Sequence, residues 1–306
     1  MKILVTGGAG FIGSHIVDSY VKLGHQVIVI DNLITGRLKN LNPKAKFYQI
    51  DITNRQEVAR LFDTEKPEIL NHHAAQMDVR KSVEDPIFDA QTNILGFLNL
   101  MEEGRKNGLK KVIFASTGGA IYGDANIIPT PEIYLTNPVS PYGISKLTTE
   151  HYLYYYNWLY KINFCVLRYS NVYGPRQNPH GEAGVIAIFI KKMLNNEQPI
   201  INGDGTQIRD FVYVLDVVTA NVSALNISQP IIVNIGTGIG TNLNVLFDEL
   251  NQAAHLRFNK IYGPGKLGEQ KTSTLDATNA SKILNWKPRY DLKQGLLETV
   301  NFFKNG

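Results

Sequence analysis

A chain of 306 residues, 43% of them hydrophobic and 19% charged, is long enough for one large core or two ordinary ones. Its net charge of +4 is small and its Lys and Arg residues are scattered, which argues against a nucleic-acid-binding stripe; no apolar stretch approaches the ~20 residues that span a bilayer. The lone cysteine, Cys165, excludes an internal disulfide and a cysteine-based metal site and suits a reducing compartment.

Met1-Lys2 leads straight into an apolar strand with no signal or transit segment before it, so the expected location is the cytoplasm. Strands are expected at 2–6, 26–31, 46–50, 68–73, 111–116 and 163–169, and helices at 11–23, 55–63, 89–106 and 142–160. This alternation is the rhythm of βαβ units. Strands that are apolar along their whole length, such as the one that holds Cys165, imply helices on both faces of a parallel sheet. The fold expected is therefore α/β, a Rossmann-type doubly wound parallel sheet. After residue 171 the pattern loosens into Gly and Pro clusters, with a helix near 185–194, a strand at 231–235, and helices near 243–253 and 292–303. We expect an NAD-binding Rossmann domain over 1–171 and a smaller C-terminal α/β substrate lobe over 172–306, with segments near 211–237 crossing back.

The first strand runs into Thr6-Gly7-Gly8-Ala9-Gly10-Phe11-Ile12-Gly13. Glycines at this spacing allow a tight turn, let backbone amides approach a pyrophosphate, and let the following helix pack closely with its positive dipole end toward the phosphates. Asp31 closes the second strand 18 residues beyond Gly13, where a carboxylate accepts a ribose 2′-hydroxyl and repels a 2′-phosphate. Arg37 lies nearby in sequence, but the position of Asp31 decides for NAD over NADP.

Further on, Ser140 is placed as an N-cap and Pro141 as the first residue of a helix that carries Tyr142 and Lys146 four residues apart on one face. A phenol is a poor base at neutral pH, but an adjacent ammonium and a cationic nicotinamide both favour the phenolate. Such a pair can take a proton from a substrate hydroxyl while hydride leaves the same carbon.

With the glycine turn, Asp31 and Tyr142-x-x-x-Lys146 in hand, the chain resembles the extended short-chain dehydrogenase/reductase superfamily, and within it the UDP-glucose 4-epimerases, from Met1 to the last helix. Asp51-Ile52, His72-His73-Ala74-Ala75-Gln76, Asn93, Arg168 to Pro175, Gly203-Asp204-Gly205, Arg209-Asp210-Phe211-Val212 and Asn234-Ile235-Gly236 carry the same pattern. The resemblance implies that Gly7, Gly10, Phe11 and Ile12 line the pyrophosphate, and that Asp31 and Asn32 hold the adenosine ribose. It further implies that Asp51 and Ile52 border the adenine, that Ala74, Ala75 and Asn93 flank the middle of the cofactor, that Lys146 meets the nicotinamide ribose, and that Tyr142 and Tyr169 also bind the cofactor. Asn171 and Arg209 would contact the UDP part of the substrate, where a guanidinium fork suits a diphosphate.

Three departures sharpen this expectation. The family places a Ser or Thr four residues before the Tyr-Gly pair, here Tyr122-Gly123; Gly118 stands there, so Thr117 is expected to supply the substrate-facing hydroxyl, with Ser116 second. Related dehydratases and decarboxylases carry acidic residues just ahead of that Tyr-Gly pair, where this chain has Gly119 and Ala120, which have no acid or base for elimination. Lys266 and Glu269 replace an Arg-x-Gly-Asp element; they keep charge to bind substrate but lose the arginine fork. Leu215 replaces an acidic residue common before Asp216, with no derivable consequence.

No metal site is expected, since His72 and His73 are adjacent strand residues that point to opposite faces. The aromatic run Tyr152, Tyr154, Tyr155, Tyr156, Trp158 and Tyr160 surrounds much of its helix, and in the related epimerases this helix joins a homodimer, so a homodimer is expected. The expected activity is NAD-dependent epimerisation at C4 of a UDP-hexose, UDP-glucose/UDP-galactose first, through a 4-keto sugar. The alternatives are a UDP-glucuronate or UDP-N-acetylhexosamine 4-epimerase and, in another class, a non-catalytic NAD-binding regulator.

Overall fold

The computed structural model describes residues 1–179, 184–265 and 270–305. Six strands appear where the apolar runs placed them: β1 (Lys2–Thr6), β2 (Gln26–Asp31), β3 (Lys46–Gln49), β4 (Ile69–His72), β5 (Lys111–Thr117) and β6 (Asn163–Tyr169). They pair in parallel in the order 3-2-1-4-5-6, and a seventh strand, Ile231–Ile235, adds itself beside β6. Strand order therefore reverses between β1 and β4, the switch point at which α/β sheets open a crevice beyond their C-terminal ends.

Because successive side chains of a strand point to opposite faces, each apolar strand feeds two cores. Ile3 and Val5 of β1, Ile113 of β5, and Cys165 and Leu167 of β6 pack with Ile16 and Val17 of α1 (Phe11–Lys22). The alternate residues Leu4, Val112, Phe114 and Val166 pack on the other face with α2 (Arg55–Glu65), α5 (Gly96–Lys106) and α7 (Pro141–Tyr160). Between α2 and α5 come two short helices, α3 (Val79–Glu84) and α4 (Pro86–Ala90), and α6 (Gly118–Ile121) follows β5.

The single helix expected at 89–106 is thus divided: a wide π turn over Gln91–Leu95 joins α4 to α5. The extra residue swings Asn93 inward, where its amide brackets the backbone of Gln76, Oδ1 accepting from N–H and Nδ2 donating to C=O, each at 2.9 Å.

Beyond β7 (Asn171–Tyr173) the chain builds the second lobe from α8 (Val185–Leu194), β8 (Ile200–Asn202) and β9 (Ile208–Tyr213). Then α9 (Val214–Leu225) returns to the large sheet and packs against α1, and β10 (Ile231–Ile235) is the seventh strand already named. The remaining elements are β11 (Gly240–Asn242), α10 (Leu243–Ala254), β12 (Ile261–Gly263), β13 (Thr272–Ser273), α11 (Thr278–Leu284) and α12 (Leu292–Asn305). Phe189, Ile190 and Met193 of α8 meet Leu246, Phe247 and Leu250 of α10 and Leu296 and Val300 of α12 in a core of their own.

Nothing in the sequence reading anticipated α9, because four valines and a threonine among its residues favour strand. Burial on the helical spacing Val217, Ala220, Asn221 and Ala224 overrides that preference. Its C-terminus is closed from outside: the buried Lys111 ammonium donates to the carbonyls of Ala224, Leu225 and Ile227, a cation at the negative end of the helix dipole.

Candidate active site

One cavity of about 1450 Å³ runs from the glycine turn after β1, across the C-terminal ends of the sheet strands, to the second lobe. Gly7, Gly10, Phe11, Ile12, Asp31, Asn32, Asp51, Ile52, Ala74, Ala75, Ser116, Thr117, Tyr142, Lys146, Tyr169, Asn171 and Arg209 all line it.

At the dinucleotide end, the turn admits little but glycine. Gly7 has φ +66°, and a Cβ there would fall 2.8 Å from the Ala74 nitrogen; one on Gly13 would fall 2.9 Å from the Gly7 carbonyl carbon. Gly10 is the N-cap of α1 and no side chain caps the helix, so its first amides remain for an anion. Asp31 is buried; its Oδ2 accepts from Ala9 N–H at 3.0 Å and its Oδ1 from Leu33 N–H at 2.8 Å. Gly36 closes over it, because a Cβ there would stand 2.5 Å from Oδ1. Arg37 also lines the cavity, and its Nη2 donates to Asn178 Oδ1 at 3.4 Å. A ribose diol fits a carboxylate so enclosed and a second phosphate does not, so the residues present fit NAD. Asn32 donates from Nδ2 to Asp51 Oδ2 at 2.9 Å, tying the two expected adenosine contacts together.

Asn93 takes no place in the cavity wall. Besides Gln76, its Nδ2 donates to Asp89 Oδ1 at 2.9 Å, so its side chain is consumed in bracing the Gln76 loop from behind.

The helix that carries Tyr142 and Lys146, α7, begins as its sequence specifies: Ser140 Oγ accepts from Gly143 N–H at 3.2 Å, and Pro141 occupies the first turn. Lys146 is buried and donates from Nζ to Ala115 C=O at 2.8 Å, with Nζ 4.8 Å from the Phe114 ring centre and 5.8 Å from that of Tyr142. Burial draws its ammonium down to about 8, against the pull of the Asp89 and Glu150 carboxylates. The Tyr142 phenol is pushed upward, first by burial and then by Asp89. The expected help from Lys146 does not outweigh these two, so in the protein alone the proton stays on the phenol and the phenolate needs a further positive charge at the site.

Thr117 caps α6, its Oγ1 accepting from Ala120 N–H at 3.3 Å, which leaves its own O–H to donate. Ser116 is spent elsewhere: its Oγ donates at 2.6 Å to Glu150 Oε1, and Glu150 is gripped by the bidentate Arg168 fork at 3.0 and 2.6 Å. Of the two expected hydroxyls, Thr117 is thus the one with a hydrogen to offer. Gly118 explains the displacement, since a Cβ there would lie 2.7 Å from Leu275 Cδ2 and nearer still to Cδ1. Gly119, by contrast, has open space, with Thr117 Oγ1 and Ser273 Oγ each 3.9 Å from a built Cβ.

In the second lobe Asn171 Nδ2 donates to Asp210 C=O at 3.4 Å, and Arg209 NH1 donates to Ile208 C=O at 2.9 Å. The Asp210 carboxylate is buried and held by Thr237, Gly238 and Leu275, so it does not draw Arg209 out of the cavity wall. Lys266 and Glu269 lie outside the described residues. His72 bonds through Nδ1 to Thr6 Oγ1 at 2.7 Å, whereas His73, on the opposite face, meets the Tyr169 hydroxyl through Nε2 at 3.1 Å. Asn221 donates to that same hydroxyl at 2.8 Å, so the Tyr169 phenol is fixed from two sides.

Sequence reading missed Asp89, Glu150, Ser170 and Gln177. The first two feed charge to Lys146, while Ser170 and Gln177 line the cavity and keep Oγ and Oε1, respectively, buried without a partner among the described residues. Glu150 had a signal: it continues the Tyr142, Lys146 row by one more step of four.

Residues 3–236 match the model of the NAD dependent epimerase/dehydratase family. A UDP-glucose 4-epimerase of Mycolicibacterium smegmatis is 41% identical over 313 aligned residues that cover 100% of this chain and 99% of that protein. Among solved structures, the UDP-glucose 4-epimerase of Thermotoga maritima with UDP-glucose superposes with a TM-score of 0.98 at 48% identity, covering 100% of this chain and 99% of the other. The UDP-glucose 4-epimerase of Thermus thermophilus in complex with NAD gives 0.95 at 40% identity, with both chains covered in full.

Proposed function

This chain belongs to the NAD dependent epimerase/dehydratase family, and from that premise we propose that it interconverts UDP-glucose and UDP-galactose by epimerisation at C4. The observation that carries the reading is that one cavity joins the Gly7–Gly13 turn and Asp31 to Tyr142, Lys146 and Thr117 and onward to Asn171 and Arg209. A dinucleotide and a nucleotide sugar can thus meet over one phenol.

NAD, which the Gly7–Gly13 turn and Asp31 would hold, would supply the hydride acceptor and donor for C4. Tyr142 takes the proton of the 4-hydroxyl and later gives it back, with the Thr117 hydroxyl steadying the 4-oxygen. Lys146 holds positive charge beside the phenol and offers its remaining N–H donors to the nicotinamide ribose. Arg209 and Asn171 hold the diphosphate while the 4-keto sugar turns over. Gly119 and Ala120 present no acid or base at the place where elimination would need one, so the keto sugar is simply reduced again.

The assembly is a homodimer through α7: Ile144, Tyr154, Trp158 and Leu159 are exposed on it, as are Val83, Ile87 and Leu95 on the neighbouring α3 to α5 stretch. No described helix is long and apolar enough to cross a membrane. The buried lone cysteine fits a reducing compartment, and we place the protein in the cytoplasm.

Incubation with UDP-glucose, UDP-N-acetylglucosamine and UDP-glucuronate in turn, with products resolved by mass and C4 stereochemistry, tests the reading. UDP-galactose of unchanged mass is expected from the first. A product lighter by water or carbon dioxide would refute an epimerase, and turnover of only one of the other two sugars would reassign the substrate.

A further inference from the structure

Asp89 on α4 is fully buried, and three donors meet its two oxygens. The Ser145 hydroxyl reaches Oδ2 at 2.6 Å, while the amides of Gln76 and Asn93 reach Oδ1 at 3.1 and 2.9 Å. All three donors are neutral, and among the described residues no cation pairs with it. The other buried carboxylate beside the site, Glu150, differs in having the Arg168 guanidinium against it. A buried charge with no countercharge is costly.

Its complement stands on α7, which packs against α4. Ser145 immediately precedes Lys146, a buried ammonium whose hydrogen bond among the described residues goes to a backbone carbonyl rather than to a carboxylate. Two buried charges of opposite sign therefore lie on neighbouring helices without touching, and Asp89 is the group that raises the proton affinity of both Lys146 and Tyr142.

We propose that Asp89 is a positioning residue, the remote countercharge of Lys146, held off by the cage of Ser145, Gln76 and Asn93 so that the ammonium stays charged and keeps its N–H donors for ligand. This rests on the role given to Lys146 above. Direct contact would hold the charge equally well but would consume a donor and pull Nζ out of place. The other groups that face Lys146 are Tyr142, Glu150 with its Arg168, and His72 and His73, which burial keeps neutral. With Glu150 already matched, Asp89 is the unmatched negative charge.

The test is Asp89→Asn, read by carbon NMR of protein labelled at lysine Cε, with Lys146→Arg assigning the resonance. In the protein without NAD or substrate, the Lys146 midpoint is expected to fall by roughly one pH unit or more when the negative charge is removed. In the epimerisation assay both limbs of the pH profile should move to lower pH, because the phenol and the ammonium each lose a neighbouring anion. Ser145→Ala deletes one cage hydrogen bond but not the charge, so the midpoint and limbs should not fall, whatever it does to stability. Asp89→Ser gives the same reading if the asparagine variant fails to fold. An unmoved midpoint in a folded uncharged variant would overturn the proposal. Because the NMR titration needs no turnover, a shifted midpoint in a protein that does not epimerise would sink the functional reading and leave this one standing.

Discussion

Gly118→Ala adds one methyl where Leu275 already stands. The new Cβ would fall 2.7 Å from Leu275 Cδ2, against ~3.5–4.0 Å for carbons in ordinary contact. Leu275 is 1% exposed and its N–H donates to the buried Asp210 Oδ2 at 3.2 Å, so it has little freedom to move aside. Overpacking of this kind costs about 1–3 kcal/mol. The backbone at Gly118 is not left-handed, so the stiffer unfolded chain returns roughly 0.4–1 kcal/mol, for a net loss of about 1–2 kcal/mol. Leu275→Ala alone removes a buried side chain at a cost of about 2–5 kcal/mol. In that background the added methyl enters vacated space, and Gly118→Ala becomes neutral or stabilising. Urea unfolding of the parent, both single variants and the double variant should therefore show a favourable coupling of about 1–3 kcal/mol. Additivity within about 0.5 kcal/mol would refute the claim that Leu275 bars a side chain at 118, and with it the reason for moving the hydroxyl to Thr117.

Thr117→Val should lower turnover on the order of 10²-fold while Thr117→Ser keeps most of it, measured as the initial rate of UDP-galactose formation; equal rates would show that the Thr117 hydroxyl has no part in the reaction. Lys146→Met should abolish epimerisation yet stabilise the cofactor-free protein at pH 7. The folded Lys146 titrates near 8 and the unfolded lysine near ~10.4, so the burial cost is present in full below 8 and is relieved as pH rises between those values, and the gain should shrink over that window in thermal melts. Lys111→Met strips the cation from the C-terminus of α9, and should cost about 2–3 kcal/mol in urea unfolding with the reaction rate nearly unchanged. Trp158→Arg on the exposed face of α7 should convert the proposed dimer to a monomer in sedimentation at micromolar concentration, and an unchanged sedimentation coefficient would overturn an interface through α7.

Much of the site is local chemistry and is legible without coordinates. The glycine turn, Asp31 at the end of β2, the Ser140–Pro141 helix start and the Tyr142, Lys146 step of four each depend on neighbours in the chain, and each stands where its spacing implied. The alternation of apolar runs and amphipathic segments likewise determined the seven-stranded sheet but for its partner order. Where local preference and burial disagreed, as along the valines of α9 or at the π turn that divides α4 from α5, local reading failed.

Only the tertiary structure decided how residues distant in sequence compete for the same atoms. Leu275 denies a side chain to Gly118, Glu150 takes the Ser116 hydroxyl, and the Gln76 backbone takes the Asn93 amide. The titration of the proposed catalytic pair is shifted in the same way, because burial raises the Tyr142 phenol and lowers the Lys146 ammonium, and the Asp89 carboxylate that acts on both comes from a different helix. Residue types and spacings thus named the chemical groups, whereas desolvation and long-range contact, which no local pattern encodes, determined which of them are free to act.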